Sequence, residues 1–388
     1  MLKKIYIISF IFSFSVALTT YVNSSLLEKT FGDFYVGILY IGASLIALVL
    51  LGLTPKIVNR LGAYKLSSLT LSINVLASIV LITTKNNLTQ AISFFVFFAS
   101  IPLIYFCLDL FTEHFSKTST TGHNRGLYLL AVNSGWLFAP LVVGSLVRAG
   151  HFEPVYSLAQ AVALVALIFL LIFINKYHDP KYFRPSIFQT FKSLQSKPQI
   201  KNAIKLNFLL QFFYAFMVIY TPIYLSNYFN LSWQQIGIIF SIMLSAFVIF
   251  QYPVGVLTDK NKISNIRAIW FSLIIIVLAL ISLFSLQPAT SIILIGLIIF
   301  MSRVGAAIYE ASVEYFFFKR SDDTDSNYIS LFRDMSPLAY VIAPALGTLI
   351  IKIMPLKNIF IILATFLIVA GFLIIKQIKH YEEYEKTN

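Results

Sequence analysis

The chain has 388 residues, of which 58% are hydrophobic and 12% are charged, and its formal net charge is +13. A soluble protein of this length could not bury so much apolar surface, so the composition excludes an ordinary soluble domain. The apolar residues form long continuous runs of about 20 residues, the length of a membrane helix. These runs show no alternation of apolar and polar residues, which argues against a membrane β-barrel.

The apolar runs, taken in chain order, predict an all-α membrane protein with about twelve spans. The first six spans are predicted at 5–26, 35–53, 65–84, 90–113, 126–147 and 156–174. The second six are predicted at 203–225, 235–254, 266–286, 291–316, 327–351 and 358–376. Because one long polar connection separates the two sets, we predict an N-terminal six-helix bundle (1–175), a cytoplasmic linker (176–202), and a C-terminal six-helix bundle with a short cytoplasmic tail (203–388).

Lys and Arg residues are concentrated in alternate connections between the spans. If the N-terminus lies inside, the inner segments hold 21 of these cations and the outer segments hold 5. Since cytoplasmic loops carry the excess of Lys and Arg, both termini are predicted to be cytoplasmic, with the protein in the plasma membrane. The same bias accounts for the positive net charge, and we expect no nucleic-acid partner because no compact basic face is visible.

Signals for catalysis or metal binding are missing from the sequence. The single cysteine, Cys107, lies in an apolar run and is expected to pack as a small apolar residue. No Cys/His spacing suggests a metal site. No phosphate-binding loop, paired-carboxylate hydrolase pattern or Ser/His/Asp spacing is present, so we expect neither an enzyme nor a bound cofactor.

One polar stretch in the second half carries a recognisable pattern. In QYPVGVLTDKNKISNIR, from Gln251 to Arg267, an apolar run stops and a Gly-x-Leu-x-Asp-Lys turn is predicted at Gly255, Asp259 and Lys260. This pattern resembles the G-x-L-x-D-R-x-G-R-R loop between two helices of the major facilitator superfamily (MFS). The resemblance covers about residues 1–380. It implies the MFS fold and a gating latch at this loop, although simple anchoring by cations is an alternative.

A weaker copy of the same pattern lies 200 residues earlier. In PKIVNRLGAYK, Asn59 and Arg60 take the place of Asp-Arg, and Gly62 takes the place of the following glycine. Other pairs recur at nearly the same offset, such as Asp109 with Glu310. Repeats of this kind are typical of transporters built from duplicated helical bundles.

Ionisable residues also lie inside the predicted spans. A charge at the bilayer centre costs about 2.5–3.5 kcal/mol, so such a residue is usually paired or functional. The candidates for transport and coupling are Asp109, Arg125, Arg303, Glu310, Arg333 and Asp334. In the arrangement that the resemblance implies, we hypothesise that Asp109 faces Arg333 and that Glu310 faces Arg125 or Arg303. Purely structural pairing is the alternative.

The fifth span carries a second, degenerate pattern. Gly135, Ala139, Pro140 and Gly144 resemble the G-x-x-x-G-P-x-x-G-G signature of proton-coupled MFS exporters. Close packing of helices through small residues is the alternative interpretation. Candidate residues for a substrate cavity at mid-depth are Asn133, Trp136, Gln211 and Tyr214.

These features predict a secondary transporter that moves a small molecule by alternating access. Proton coupling is favoured because buried carboxylates can exchange protons and no nucleotide site is visible. The fifth span favours efflux. The alternatives are a nutrient symporter or facilitator, or a membrane receptor or scaffold of the same fold that transports nothing. The expected partners are a small-molecule substrate, protons and the lipid bilayer, and the expected state is a monomer.

Single-cysteine labelling tests the predicted orientation. In a Cys107→Ser background, Thr190→Cys should react with an impermeant reagent only from the inside, and Asn230→Cys only from the outside. The reason is that the cation bias places these positions on opposite sides of the membrane. The reverse labelling pattern would overturn the orientation.

Overall fold

The structure is a computed structural model that describes residues 1–115, 121–148, 150–175, 192–259, 264–320 and 326–387. Apart from an isolated bridge between Arg148 and His151, the regular structure in these ranges is helical. The chain divides into two compact units. Unit 1 comprises residues 1–183 and 231–241, and unit 2 comprises residues 184–230 and 242–388.

Unit 1 contains seven described helices and the first residues of an eighth. Its helices are α1 (Leu2–Thr20), α2 (Asn23–Phe31), α3 (Asp33–Leu61), α4 (Ala63–Thr83), α5 (Asn87–Phe115), α6 (Thr121–Leu146) and α7 (Glu153–Phe173). Helix α1 packs against both α6 and α7, and α5 packs against α3 and α4. Apolar side chains fill the space between them, including the fully buried Phe12 and Phe111.

Unit 2 is built around α8. The remaining helices are α8 (Pro198–Asn227), α9 (Trp233–Asp259, whose first residues belong to unit 1), α10 (Asn265–Ser285), α11 (Ile292–Phe318), α12 (Ser326–Ile353) and α13 (Asn358–Thr387). Helix α8 contacts α11, α12 and α13, and α10 packs against α11 and α13. Pro198 opens α8, where its missing N–H is not needed for an intrahelical hydrogen bond.

Eleven of the twelve predicted spans are confirmed as helices of membrane-crossing length. Eleven stretches of the described chain are long and apolar enough to cross a bilayer, and α1 with α2 forms one of them. The predicted fifth span lies in α6, whose apolar part is shorter and runs from Leu130 to Leu146. Helices suit this setting because they satisfy their own backbone hydrogen bonds where no water is present. The protein is therefore an all-α, multi-pass membrane protein.

The turn predicted at Gly255 is wrong. Helix α9 continues through Gly255 to Asp259, while Lys260 lies outside the described residues. In the first half, α3 likewise continues through the exposed Asn59 and Arg60. A helix that leaves the apolar layer can carry charged side chains into water, so the end of an apolar run need not end the helix.

Gly62 is the residue that ends α3. Its φ of +82° is a conformation that residues with a side chain rarely adopt, and its N–H donates to the carbonyl of Val58. The same glycine precedes the first residue of α4. The connection between these two helices is therefore a single glycine rather than an extended loop.

Helix α11 approaches α10 closely at Gly305. A Cβ atom at this position would lie 2.8 Å from Ile276 Cγ1 and 2.9 Å from the carbonyl oxygen of Ser272. The second of these is a backbone atom, which can move only if the helix moves. The absence of a side chain at Gly305 therefore sets the distance between α10 and α11.

We expect Gly305→Ala to lower the stability of the protein by about 1–3 kcal/mol, because the added methyl group overpacks this contact. Gly52→Ala is the matched control, since no atom lies within 4 Å of the Cβ position at Gly52. In the control, the higher helix propensity of alanine should leave the stability unchanged or raise it by up to about 1 kcal/mol. Thermal unfolding of both variants in detergent makes the comparison. Equal melting temperatures for Gly305→Ala and the wild type would contradict this account.

Candidate functional site

A carboxyl group on α11 connects three helices of unit 2. Glu310 is partly buried, and its Oε2 accepts a hydrogen bond of 3.0 Å from the hydroxyl of Tyr214 on α8. The same oxygen accepts a second hydrogen bond of 2.9 Å from Nε2 of Gln251 on α9. Both donors are neutral, so they hold the carboxyl group in place without neutralising it.

Arg303 lies on the same helix, seven residues before Glu310, which is about two helical turns. Its side chain is only 2% exposed. The guanidinium carbon lies 5.1 Å from the ring centre of Phe213 and 5.6 Å from that of Tyr214, so the cation rests on two aromatic faces. Its Nε has no hydrogen-bond partner, and within the described part of the chain Arg303 forms no salt bridge.

Two amide side chains extend this polar group along α8. Nδ2 of Asn207 donates a hydrogen bond of 2.6 Å to the carbonyl oxygen of Phe332 on α12, and Nε2 of Gln211 lies 3.5 Å from Oδ1 of Asn207. We call this set of side chains the Glu310 cluster. Its members are Asn207, Gln211, Tyr214, Gln251, Arg303 and Glu310.

The structure brings together three of the residues singled out in the sequence, namely Tyr214, Arg303 and Glu310. Gln211 lies on the same helix as Tyr214 and is close to Asn207. Asn207 and Gln251 belong to the site but were not among the residues predicted from the sequence. Each is an amide side chain within an apolar run, and this feature of the sequence could have marked it as a site residue. A polar side chain is costly in the membrane and therefore needs a partner, but the sequence does not show which helix supplies that partner.

The other candidate residues lie outside the Glu310 cluster. On α12 of the same unit, Arg333 is exposed and Asp334 is partly exposed. In unit 1, Asp109 is partly exposed on α5, and Arg125 lies near the start of α6. The pairings of Asp109 with Arg333 and of Glu310 with Arg125 stay predictions. Glu310 and Arg303 are both described, and they form no salt bridge in this structure.

Two of the predicted cavity residues belong to α6 of unit 1. Asn133 is exposed, and Trp136 is partly exposed and interacts with the hydroxyl of Tyr105. That hydroxyl donates to Oγ of Ser13 over 3.2 Å, and Ser13 in turn donates to the carbonyl oxygen of Val132 over 2.8 Å. Trp136 thus belongs to a small polar cluster that joins α1, α5 and α6.

The small residues of the fifth span lie at close helix contacts in unit 1. A Cβ atom at Gly135 would lie 2.7 Å from the backbone nitrogen of Phe14, and one at Gly144 would lie 2.9 Å from the carbonyl oxygen of Trp233. Gly237 faces Pro140 and Gly144 in the same way. This geometry accounts for the glycines through close packing.

Metal binding has no support among the described residues. Within these ranges, His, Cys, Asp and Glu side chains form no group of three or more that could hold an ion.

The helical architecture, with charged residues inside its apolar helices, defines a multi-pass membrane protein. The family model described as Major Facilitator Superfamily matches residues 5–325. The chain therefore belongs to the Major Facilitator Superfamily and is a secondary transporter. A comparison with curated protein sequences finds no match.

Several solved structures share this fold. A bacterial homologue of the human lysosomal transporter Spinster, inward-facing and occupied, has a TM-score of 0.78 at 12% identity, with 97% of this chain and 96% of the other covered. A mutant of the nucleoside transporter NupG has a TM-score of 0.77 at 13% identity, with 97% and 99% covered. A POT family transporter in complex with 5-aminolevulinic acid has a TM-score of 0.75 at 14% identity, with 96% and 95% covered.

A double-mutant cycle tests the hydrogen bond between Tyr214 and Glu310. We expect the stability effects of Tyr214→Phe and Glu310→Leu to be non-additive by about 0.6 kcal/mol, and by up to about 1.7 kcal/mol, the range for hydrogen bonds between membrane helices. Reversible unfolding in mixed detergent micelles measures the coupling.

The matched control for this cycle is Tyr228→Phe with Glu310→Leu. The hydroxyl of Tyr228 donates to the carbonyl oxygen of Leu286 and has no bond to Glu310. The two control effects should add within about 0.5 kcal/mol. Additivity in the Tyr214 cycle as well would mean that the hydrogen bond makes no energetic contribution.

Proposed function

We propose that the protein is a proton-coupled secondary transporter that moves a small molecule by alternating access, with export as the favoured direction. It resides in the plasma membrane with both termini in the cytoplasm. The observation that carries the proposal is the carboxyl group of Glu310, which sits within a membrane span and receives hydrogen bonds from two other helices.

A carboxyl group in this position suits proton coupling. Ionisable groups inside membrane helices are costly, and where they occur they commonly serve as proton relays or ion sites. Glu310 is attached to α11, but Tyr214 and Gln251 belong to other helices. Any movement of α8 or α9 against α11 therefore changes the hydrogen bonds to the carboxyl group. Protonation and helix position are linked through those bonds, and linkage acts in both directions.

The proton gradient is the favoured energy source because the sequence carries no phosphate-binding loop that could use a nucleotide. Export rests on the fifth-span pattern of Gly135, Ala139, Pro140 and Gly144. The orientation rests on the excess of Lys and Arg in the segments assigned to the cytoplasm.

The test uses purified protein in proteoliposomes that contain a pH-sensitive dye. A panel of nucleosides, amino acids, dipeptides, sugars and organic acids is added one solute at a time. We expect at least one solute to cause proton movement in the wild type, and Glu310→Gln to reduce that movement to the background rate. The reason is that a glutamine side chain cannot exchange a proton.

Glu153→Gln is the control for this experiment. Glu153 is an exposed carboxylate in unit 1 that pairs with His151 at 3.5 Å, and its loss should leave proton movement unchanged. Full gradient-driven flux in Glu310→Gln would contradict the proposed coupling role. Absence of flux for every solute would favour a receptor or scaffold. If an imposed proton gradient drives the solute toward the face of the protein assigned to the cytoplasm, the direction is import instead of export.

A further inference from the structure

Arg303 is a membrane-buried cation whose hydrogen-bonding capacity is incompletely used. It is 2% exposed, its Nε lacks a partner, and in the described part of the chain it forms no salt bridge. A guanidinium group has five N–H donors, and two aromatic faces cannot accept all of them. The site therefore carries a positive charge and free donors at a depth where both are costly.

We propose that Arg303 binds the substrate, and that the substrate is an organic anion whose carboxylate or other oxyanion group pairs with the guanidinium. This inference rests on the proposed transport function and assigns its substrate class. The planar fork of N–H donors in arginine matches the two oxygens of a carboxylate, which makes arginine well suited to such recognition.

The surroundings of Arg303 indicate an apolar or aromatic body for this anion. The cation lies over Phe213 and Tyr214, and the ring of Phe247 lies 6.1 Å from that of Tyr214. Ligand sites of this kind combine apolar and aromatic walls with a few polar groups that fix orientation. Here Arg303 supplies the charge, and the three rings supply the apolar contact.

Tyr214 connects the anion site to the proton site. Its ring lies against the guanidinium of Arg303, and its hydroxyl donates to Oε2 of Glu310. Because Arg303 is almost fully covered, an anion reaches it only after a covering side chain moves, and we assign that movement to the ring of Tyr214, which lies over the guanidinium. That movement withdraws one of the two hydrogen bonds to Glu310. Anion binding and protonation of Glu310 are thereby linked through one side chain.

A purely structural role for Arg303 predicts a different result. If Arg303 only stabilises unit 2 through the two aromatic rings, its replacement lowers the stability of the free protein but does not change which solutes bind. The charge of the ligand is therefore the decisive variable. It can be tested first on the wild type, without any variant.

The first experiment measures thermal stabilisation of the full-length protein in detergent by benzoate, phenylacetate and indole-3-acetate. Benzamide, phenylacetamide and indole-3-acetamide are the neutral counterparts of nearly the same shape. We expect at least one acid to raise the melting temperature in a saturable way, and its amide to have no effect. If no acid stabilises the protein, or if an amide stabilises it equally, the assignment is overturned.

The second experiment repeats the titration on variants. Arg303→Gln should weaken binding of the stabilising acid about tenfold or more, because charge-assisted hydrogen bonds are lost. Arg303→Lys should retain part of the affinity. Arg148→Gln, which removes an exposed arginine of unit 1, is the control with the same change in net charge and should bind like the wild type. Wild-type affinity in Arg303→Gln would overturn the role of Arg303.

The two proposals fail in different ways. Proton movement driven by neutral solutes only, and lost in Glu310→Gln, would remove the anion assignment and leave the transport function intact. Anion binding that depends on Arg303, without proton movement for any solute, would retain the anion site and remove proton coupling.

Discussion

The hydrogen bonds that Glu310 accepts from Tyr214 and Gln251 are the central polar interaction of unit 2, because they tie α8 and α9 to α11. A helix in lipid loses little when it turns about its own axis, because lipid is as apolar as its neighbouring helices. Polar contacts between helices therefore help to select one rotation. Further contacts of this kind end on backbone carbonyls, as when Tyr309 donates to Leu206 and Asn207 donates to Phe332. These bonds, together with packing against the neighbouring helices, fix the rotation of α8.

The two halves of the chain repeat each other in sequence but differ in their polar contacts. At the offset that relates Glu310 to Asp109, the chain has Ser13 and Leu50 in place of Tyr214 and Gln251. In unit 1 the hydroxyl of Ser13 donates to the carbonyl oxygen of Val132 over 2.8 Å, and the hydroxyl of Ser15 donates to the carbonyl oxygen of Ala159 over 2.9 Å. The duplication thus reproduces the helices, while Tyr214 and Gln251 have no identical counterpart in the first half.

Much of the candidate site could be anticipated from the cost of charge in lipid, which drew attention to Arg303 and Glu310 before any contact was visible. Gln251 was not anticipated, because an amide in an apolar run carries no charge and its partner is 59 residues away along the chain. The turn predicted at Gly255 was wrong for a related reason. Loss of hydropathy marks where a helix leaves the apolar layer, whereas the helix itself ends only where the backbone changes conformation, as at Gly62.

The sequence by itself determined the class of protein, its helical spans and the residues whose burial needs a partner. These properties depend on the composition of each segment and on the thickness of a bilayer, and both act locally along the chain. Only the tertiary structure decided that Tyr214 contacts both Arg303 and Glu310, and that the guanidinium rests on rings instead of a carboxylate. These contacts join residues of different helices, and the rotation of each helix depends on packing against its neighbours, which no single segment encodes.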